Sequence, residues 1–258
     1  MFGAQRLQLI REMVLEQEMV DVSTLSEKLS VSEVTIRRDL DKLEKEGFIT
    51  KTYGGAVLNK DFKSERNPMI QNIVDSGAEI NLICKIALQM IEGDETIFLS
   101  GGPVGRQIAG CLDDQKKLMV VTNDVFIAAR LFDNPKVKVV VTGGEVITSS
   151  GIMVGPCALR MLQEIYVNKA FIEVKGVDLK FGYSMESYDE IEIVRQIMNI
   201  SREVIALADY SKFDTVSFTK LGDLGLFTKV VSNKEIPEEY KKYYYDNYIK
   251  LYTTYEVN

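Results

Sequence analysis

Beyond residue 95 the sequence is punctuated by short, nearly continuous apolar runs: Thr96–Leu99, Leu118–Val121, Val137–Val141, Ala170–Ile172 and Val204–Leu207. A strand with one wet face alternates apolar and polar residues, whereas a strand covered on both faces reads as such a run. Helically spaced stretches lie between most of the runs, and one carrying Ile80, Ile83, Ala87 and Met90 precedes the first. Covered strands separated by helices predict a doubly wound, mostly parallel α/β domain. Ligands of such domains bind at the carboxyl ends of the strands. Ser100-Gly101-Gly102 and Gly143-Gly144 follow strands directly and are candidates for that crevice.

The first sixty residues have a different rhythm. Leu7, Ile10 and Val14 share a face in a helix predicted from Ala4 to Gln17, and Val20-Asp21-Val22 suits one strand of a small sheet. Thr24-Leu25-Ser26-Glu27 fits a capping box opening a short helix with Leu25 and Leu29. After the turn Ser30-Val31-Ser32, with Ser32 as N-cap, a helix is predicted from about Glu33 to Glu46, ending at Gly47. Phe48–Tyr53 and Ala56–Leu58, joined by Gly54-Gly55, read as a hairpin. Two short helices, a tight turn and a glycine-tipped hairpin are the layout of a winged helix-turn-helix.

At 100° per residue, Ile36, Leu40 and Leu43 fall on one face of the later helix. Val34, Thr35, Arg38, Asp41, Lys42 and Lys45 fall opposite, with Arg37 on the flank. Thr35 and Arg38 therefore point outward in the half that a recognition helix pushes into the major groove. Arg donates a bidentate pair to guanine, and Thr offers a hydroxyl and a methyl. Lys51 and Gly54 would let the wing reach a phosphate. The pattern also fits a merely solvated face, since residues 1–60 carry nine Lys/Arg against ten Asp/Glu.

Composition narrows the chemistry. The net charge is −7, so DNA binding must come from a local patch. No histidine is present among the 258 residues, which removes the commonest general base and metal ligand; no metal and no cofactor are expected. Three cysteines, Cys84, Cys111 and Cys157, lack paired spacing and are expected to be free, buried thiols in a reducing cytoplasm. No signal peptide and no membrane span are read.

Ser32-Glu33-Val34-Thr35-Ile36-Arg37-Arg38-Asp39-Leu40, followed by Leu43, Gly47 and Tyr53-Gly54-Gly55-Ala56, resembles the N-terminal signature of DeoR-family bacterial transcription regulators. Asp94–Leu99, Val120–Asn123, Thr142–Glu145, Val154-Gly155-Pro156 and Leu207–Phe213 resemble the rest of that family in order, so the likeness covers about residues 5–232. It implies a repressor of a carbohydrate-metabolism operon. Its C-terminal domain, related to sugar-phosphate isomerases, would sense a phosphorylated sugar or a related anionic metabolite. The expected domains are 1–58 for double-stranded operator DNA, 59–75 as connector, and 76–258 for effector binding and homo-oligomerisation, at least as a dimer. Ser32, Val34, Thr35, Arg37, Arg38, Lys42, Lys51, Tyr53 and Gly54 are the expected DNA contacts. Ser100, Gly101, Gly102, Thr122, Asn123, Gly143, Gly144, Lys175 and Lys212 are the expected effector contacts. The glycines also suit ordinary turns, and Lys212 also suits a surface position.

Two segments depart from the family. Ser100-Gly101-Gly102-Pro103-Val104 replaces an Asp-x-Gly-Thr-Thr-like loop, and Glu173-Val174-Lys175-Gly176-Val177-Asp178 replaces Gly-x-Asp-Gly-Ile-Asp. Lys175 thus stands where an acid is expected. The departures argue against an isomerase with an appended DNA-binding module. They also predict weak binding of the usual sugar phosphate, with Arg106 and Lys175 partly restoring positive charge, unless Lys175 pairs with Glu173 or Asp178 and closes the crevice. A third possibility is a second domain that only oligomerises.

Overall fold

The chain divides into two units, residues 1–72 and 73–258. The computed structural model describes residues 6–7, 9–11, 13–14, 19–29, 31–45, 48–52, 54–58, 77–112, 117–132 and 134–254. Gly47, Tyr53, the connector 59–75 and the Lys45 side chain lie outside the described residues.

In the first unit, Leu7, Ile10 and Val14 are helical as their spacing predicts, and Ile10 and Val14 are fully buried. Strand β1 (Met19–Asp21) leads directly into helix α1 (Val22–Leu29). The expected start at Thr24 is therefore wrong. Val22, Leu25 and Leu29 all enter the core, and burying Val22 at helical spacing starts the helix two residues before the capping-box serine/threonine pattern. Helix α2 (Glu33–Lys45) follows, then β2 (Ile49–Lys51) and β3 (Gly55–Leu58). The three strands form an antiparallel sheet in the order β1-β3-β2. Gly55 pairs with Asp21, and a Cβ there would stand 2.0 Å from the Val20 carbonyl oxygen, so only glycine allows this approach.

The second unit begins with α3 (Ala78–Gln89) and strand β4 (Glu95–Leu99). Next come α4 (Pro103–Gly110), β5 (Leu118–Thr122), α5 (Val125–Leu131) and β6 (Val137–Val141). A hairpin of β7 (Glu145–Ile147) and β8 (Ile152–Val154) precedes α6 (Pro156–Leu162) and β9 (Val167–Glu173). Then follow β10 (Gly176–Asp178), β11 (Gly182–Met185), α7 (Tyr188–Ile200) and β12 (Ser201–Leu207). Strands β13 (Thr219–Gly222) and β14 (Lys229–Val231), helix α8 (Glu238–Asp246) and β15 (Lys250–Tyr252) complete it.

Seven strands make one parallel sheet in the order β15-β14-β12-β9-β4-β5-β6. Residues of α3, α4 and α5 pack on one face, and residues of α6, α7 and α8 on the other, as the continuous apolar runs predict. From β4 the chain goes outward to β5 and β6, then returns to β9 on β4's other side. The topological switch point is therefore between β4 and β9. The antiparallel sheet β10-β11-β13 and the β7–β8 hairpin were not anticipated, because their strands are only three or four residues long.

The tyrosine-rich tail is helix α8 and the edge strand β15. Tyr240 and Tyr244 are fully buried; Tyr244 shares a hydrogen bond with Tyr183 at 3.1 Å, and the Tyr240 hydroxyl donates to Asp214 at 2.7 Å. Cys84 is buried, but Cys111 and Cys157 are exposed, against expectation: Cys111 caps the end of α4 and Cys157 lies on the outer side of α6's first turn. No helix among the described residues is long and apolar enough to cross a membrane.

Candidate DNA interface and sensor crevice

Helix α2 presents two faces, as its periodicity requires. Ile36, Leu40 and Leu43 are buried, while Val34, Arg37, Arg38 and Lys42 are exposed and Thr35 is half-buried. Ser32 sits just before the helix: its hydroxyl is 3.0 Å from that of Thr35 and accepts the Thr35 N–H at 3.4 Å. The expected cap is therefore present, though long.

The cations of this unit differ in their freedom. Arg37 leans on Glu33 at 3.6 Å and Lys42 on Asp39 at 3.5 Å. Lys51 reaches Asp41 at 2.5 Å and Glu44 at 3.9 Å, and its backbone N–H also donates to Glu44. The hydrogen bond from Asp41 raises the Lys51 ammonium above its usual value. A phosphate contact by Lys51 must therefore be exchanged for these pairs. Arg38 has no ion-pair partner among the described residues, so its guanidinium is available to a ligand. Gly54, at the wing's tip, has open space around it.

Sequence reasoning missed Asp39. It lies on the margin of the core face, 1% exposed, and receives the Arg6 guanidinium at 2.6 Å. The pair ties the first helix to α2. An acid flanked by Arg37, Arg38 and Leu40 in a helix with a buried face was the available signal.

The second unit's candidate crevice lies at the carboxyl ends of β4, β5 and β9. Ser100-Gly101-Gly102 leads into α4, with Gly102 at φ 135° in its N-cap position and Pro103 in the first turn. This much agrees with the expected anion-binding loop. The loop is already filled, however. Glu173, at the end of β9, accepts the Val104 N–H on Oε2 at 2.8 Å, and a Cβ on Gly102 would meet that same oxygen at 2.5 Å. The Ser100 hydroxyl accepts the Glu173 backbone N–H at 2.8 Å. The available signal in the sequence was a glutamate where the resembling family has glycine.

Lys175 is 3.7 Å from Glu173 Oε1. Burial works to lower its pKa, and the Glu173, Glu186 and Glu190 carboxylates outweigh that and hold it above its usual value. Burial raises the carboxyl of Glu190 in turn, against the pull of Lys175. Asp178 does not pair with Lys175; it accepts the backbone N–H groups of Phe181 and Lys180, which lower its pKa.

Several expected effector residues serve the scaffold instead. Thr122 is fully buried, its hydroxyl donating to the Leu99 carbonyl and accepting the Asp124 N–H, so it lies beneath the crevice and not in it. Arg106, expected to add charge to the crevice, is held by Asp124 at 2.7 Å and the Ser150 carbonyl, over the Phe126 ring. Asp124 meanwhile caps α5 by accepting the N–H groups of Phe126 and Ile127. Lys212 rests against Asp209 at 3.9 Å. Gly143 and Gly144 are exposed left-handed turn residues, and a Cβ on Gly144 would meet the Val154 carbonyl at 2.3 Å. Asn123 differs from all of these: it is 5% exposed and its Oδ1 has no hydrogen-bond partner among the described residues. No group of three potential metal-ligating side chains forms among the described residues.

A helix with an outward Arg38 beside a wing, joined in sequence to a parallel α/β unit with a buried polar switch point, defines a DNA-binding regulator with a sensor unit. Residues 6–62 match the DeoR-like helix-turn-helix domain, and residues 77–234 match the DeoR C-terminal sensor domain. The chain belongs to the DeoR family of transcriptional regulators. It is 30% identical over 249 residues to the HTH-type transcriptional regulator GolR of Listeria innocua, covering 94% of this chain and 96% of that protein. It is 26% identical over 247 residues to the glycerol-3-phosphate regulon repressor of Escherichia coli, covering 96% and 97%. Among solved structures, ribose 5-phosphate isomerase A of Methanocaldococcus jannaschii aligns over 52% of this chain and 53% of its own at 13% identity, with a TM-score of 0.38.

Proposed function

We propose that the protein represses an operon of carbohydrate metabolism, reading its operator as a homodimer and releasing or gripping it in answer to a small metabolite. Arg38 and Thr35 read base edges in the major groove; Ser32, Arg37, Lys42 and the wing around Lys51 and Gly54 hold phosphates. The observation that carries this reading is the outward Arg38, without an ion-pair partner among the described residues, on a helix whose opposite face is locked into the core by Ile36, Leu40 and Leu43. Dimerisation follows from contact number, because one small module offers too few base contacts for genomic specificity and a two-fold operator doubles them. The repressor relative supports the sign of regulation. The metabolite is read at the switch point between β4 and β9.

Selection of the full chain against a pool of random duplexes tests the proposal. It predicts enrichment of a motif with two-fold symmetry and, by light scattering, a dimer or larger species. Enrichment of no motif, or a monomer that selects an asymmetric site, would contradict it.

A further inference from the structure

Glu173 occupies the switch point from within. A glycine loop and a helix start normally offer their free N–H groups to a bound anion. Here Glu173 Oε2 takes the Val104 N–H, and Pro103 has none to give. The neighbouring cations are engaged as well, Lys175 by Glu173 and Arg106 by Asp124. Lys175 is faced by the carboxylates of Glu173, Glu186 and Glu190, and Arg106 by that of Asp124, so two cations stand against four carboxylates. A phosphate brought here would meet a buried carboxylate on the donors it needs and an excess of negative charge around them.

A second, independent observation concerns Asn123, which follows β5 directly. Its Oδ1 is the one buried side-chain nitrogen or oxygen without a hydrogen-bond partner among the described residues. A carbonyl oxygen accepts only, so what completes it must donate. Glu173 Oε1 is not buried in this sense, but it too can take a donated hydrogen bond, since its ion-pair partner Lys175 stands at 3.7 Å, beyond hydrogen-bond length. Ionised phosphate oxygens only accept, whereas hydroxyls donate. Strand β4 lies between β5 and β9, so Asn123 and Glu173 flank the Ser100–Gly102 loop about 10 Å apart, two strand spacings. That span suits a five- or six-carbon chain bearing hydroxyls.

We propose that Glu173 stands in for a ligand's phosphate, and that this crevice recognises an unphosphorylated polyol, a free sugar or sugar alcohol, through hydroxyls donated to Asn123 Oδ1 and Glu173 Oε1. The inference rests on reading the second unit as a metabolite sensor. It reverses the phosphorylated effector that the family resemblance implies.

Calorimetry on the full chain with matched pairs tests it: ribose and ribose 5-phosphate, fructose and fructose 6-phosphate, glucitol and glucitol 6-phosphate, with inorganic phosphate alongside. The expected result is that at least one free member binds tenfold or more tightly than its phosphate, while inorganic phosphate gives no heat. Glu173→Gly should gain inorganic phosphate tenfold or more and lose the free polyol. Should that variant not fold, Glu173→Gln, which keeps the volume and removes the charge, should show the same direction of change. A phosphate that binds the parent more tightly than its free partner overturns the proposal. So does the absence of heat from every free member, or a folded Glu173 variant that gains no phosphate. Operator binding measured on the same samples separates the two readings. A chain that selects DNA but prefers phosphates loses this inference and keeps its role as a regulator.

Discussion

The two units carry their chemistry on opposite kinds of surface. In the first, the side chains proposed to meet DNA stand on the outer face of one helix, and their charges are paired at short range: Arg37 with Glu33, Lys42 with Asp39. In the second, the polar groups are buried between strand ends and pair across long stretches of chain. Glu173 meets Val104 and Ser100, and Arg106 meets Asp124. An outer face can change sequence at little cost to folding, whereas a buried polar cluster must be satisfied as a whole. The first arrangement suits recognition of varied operators, and the second suits discrimination among small ligands.

Alkali should separate the units most sharply. Burial raises the hydroxyls of Tyr183, Tyr240 and Tyr244, with Tyr244 pushed up to about 12. A folded-state value above the unfolded one means stability that is complete below about pH 10, the ordinary tyrosine value, and is lost as pH rises through the folded value. The described core of the first unit holds no tyrosine. Circular dichroism with tyrosinate absorbance should show the second unit failing between about pH 10 and 12 while helical signal from the first persists. Simultaneous loss of both would break the contrast.

Arg106→Ala should come next. It leaves Asp124 fully buried and without its cation, a loss of about 3–5 kcal/mol confined to the second unit. Asp39→Ala is the counterpart in the first unit. Arg6 is itself on a long side chain that can turn to water, so about 2 kcal/mol is expected, the worth of a hydrogen bond to a charged group. Urea titrations of both variants should show the affected transition moving and the other standing still. Lys51→Ala, at the bottom of the scale, should leave the unfolding transition where it was, because its partners Asp41 and Glu44 are exposed.

The same contrast explains what could be read from the sequence. Periodicity is local, so it placed Ile36, Leu40 and Leu43 inward and Arg38 outward, and the continuous apolar runs identified strands covered on both faces. The start of α1 at Val22 escaped because burial of one more valine outweighed a good capping pattern. The crevice was legible only as glycine loops. Whether Ser100-Gly101-Gly102 is open or filled depends on Glu173, about seventy residues later, and no local pattern carries that pairing. Thr122 and Arg106 were misplaced for the same reason: their partners, the Leu99 carbonyl and Asp124, meet them only once β4 and β5 are side by side.

The central claim, that α2 reads DNA by its outer face, is tested most directly by anisotropy titrations on a selected operator at several salt concentrations. Arg38→Ala should weaken operator binding by about 1–3 kcal/mol, as for a lost bidentate base contact, and leave binding to random duplex nearly unchanged. Arg37→Ala should weaken both equally and reduce the salt slope by about 1. If Arg38→Ala binds the operator as tightly as the parent, or loses operator and random duplex alike, the outer face of α2 does not read the sequence.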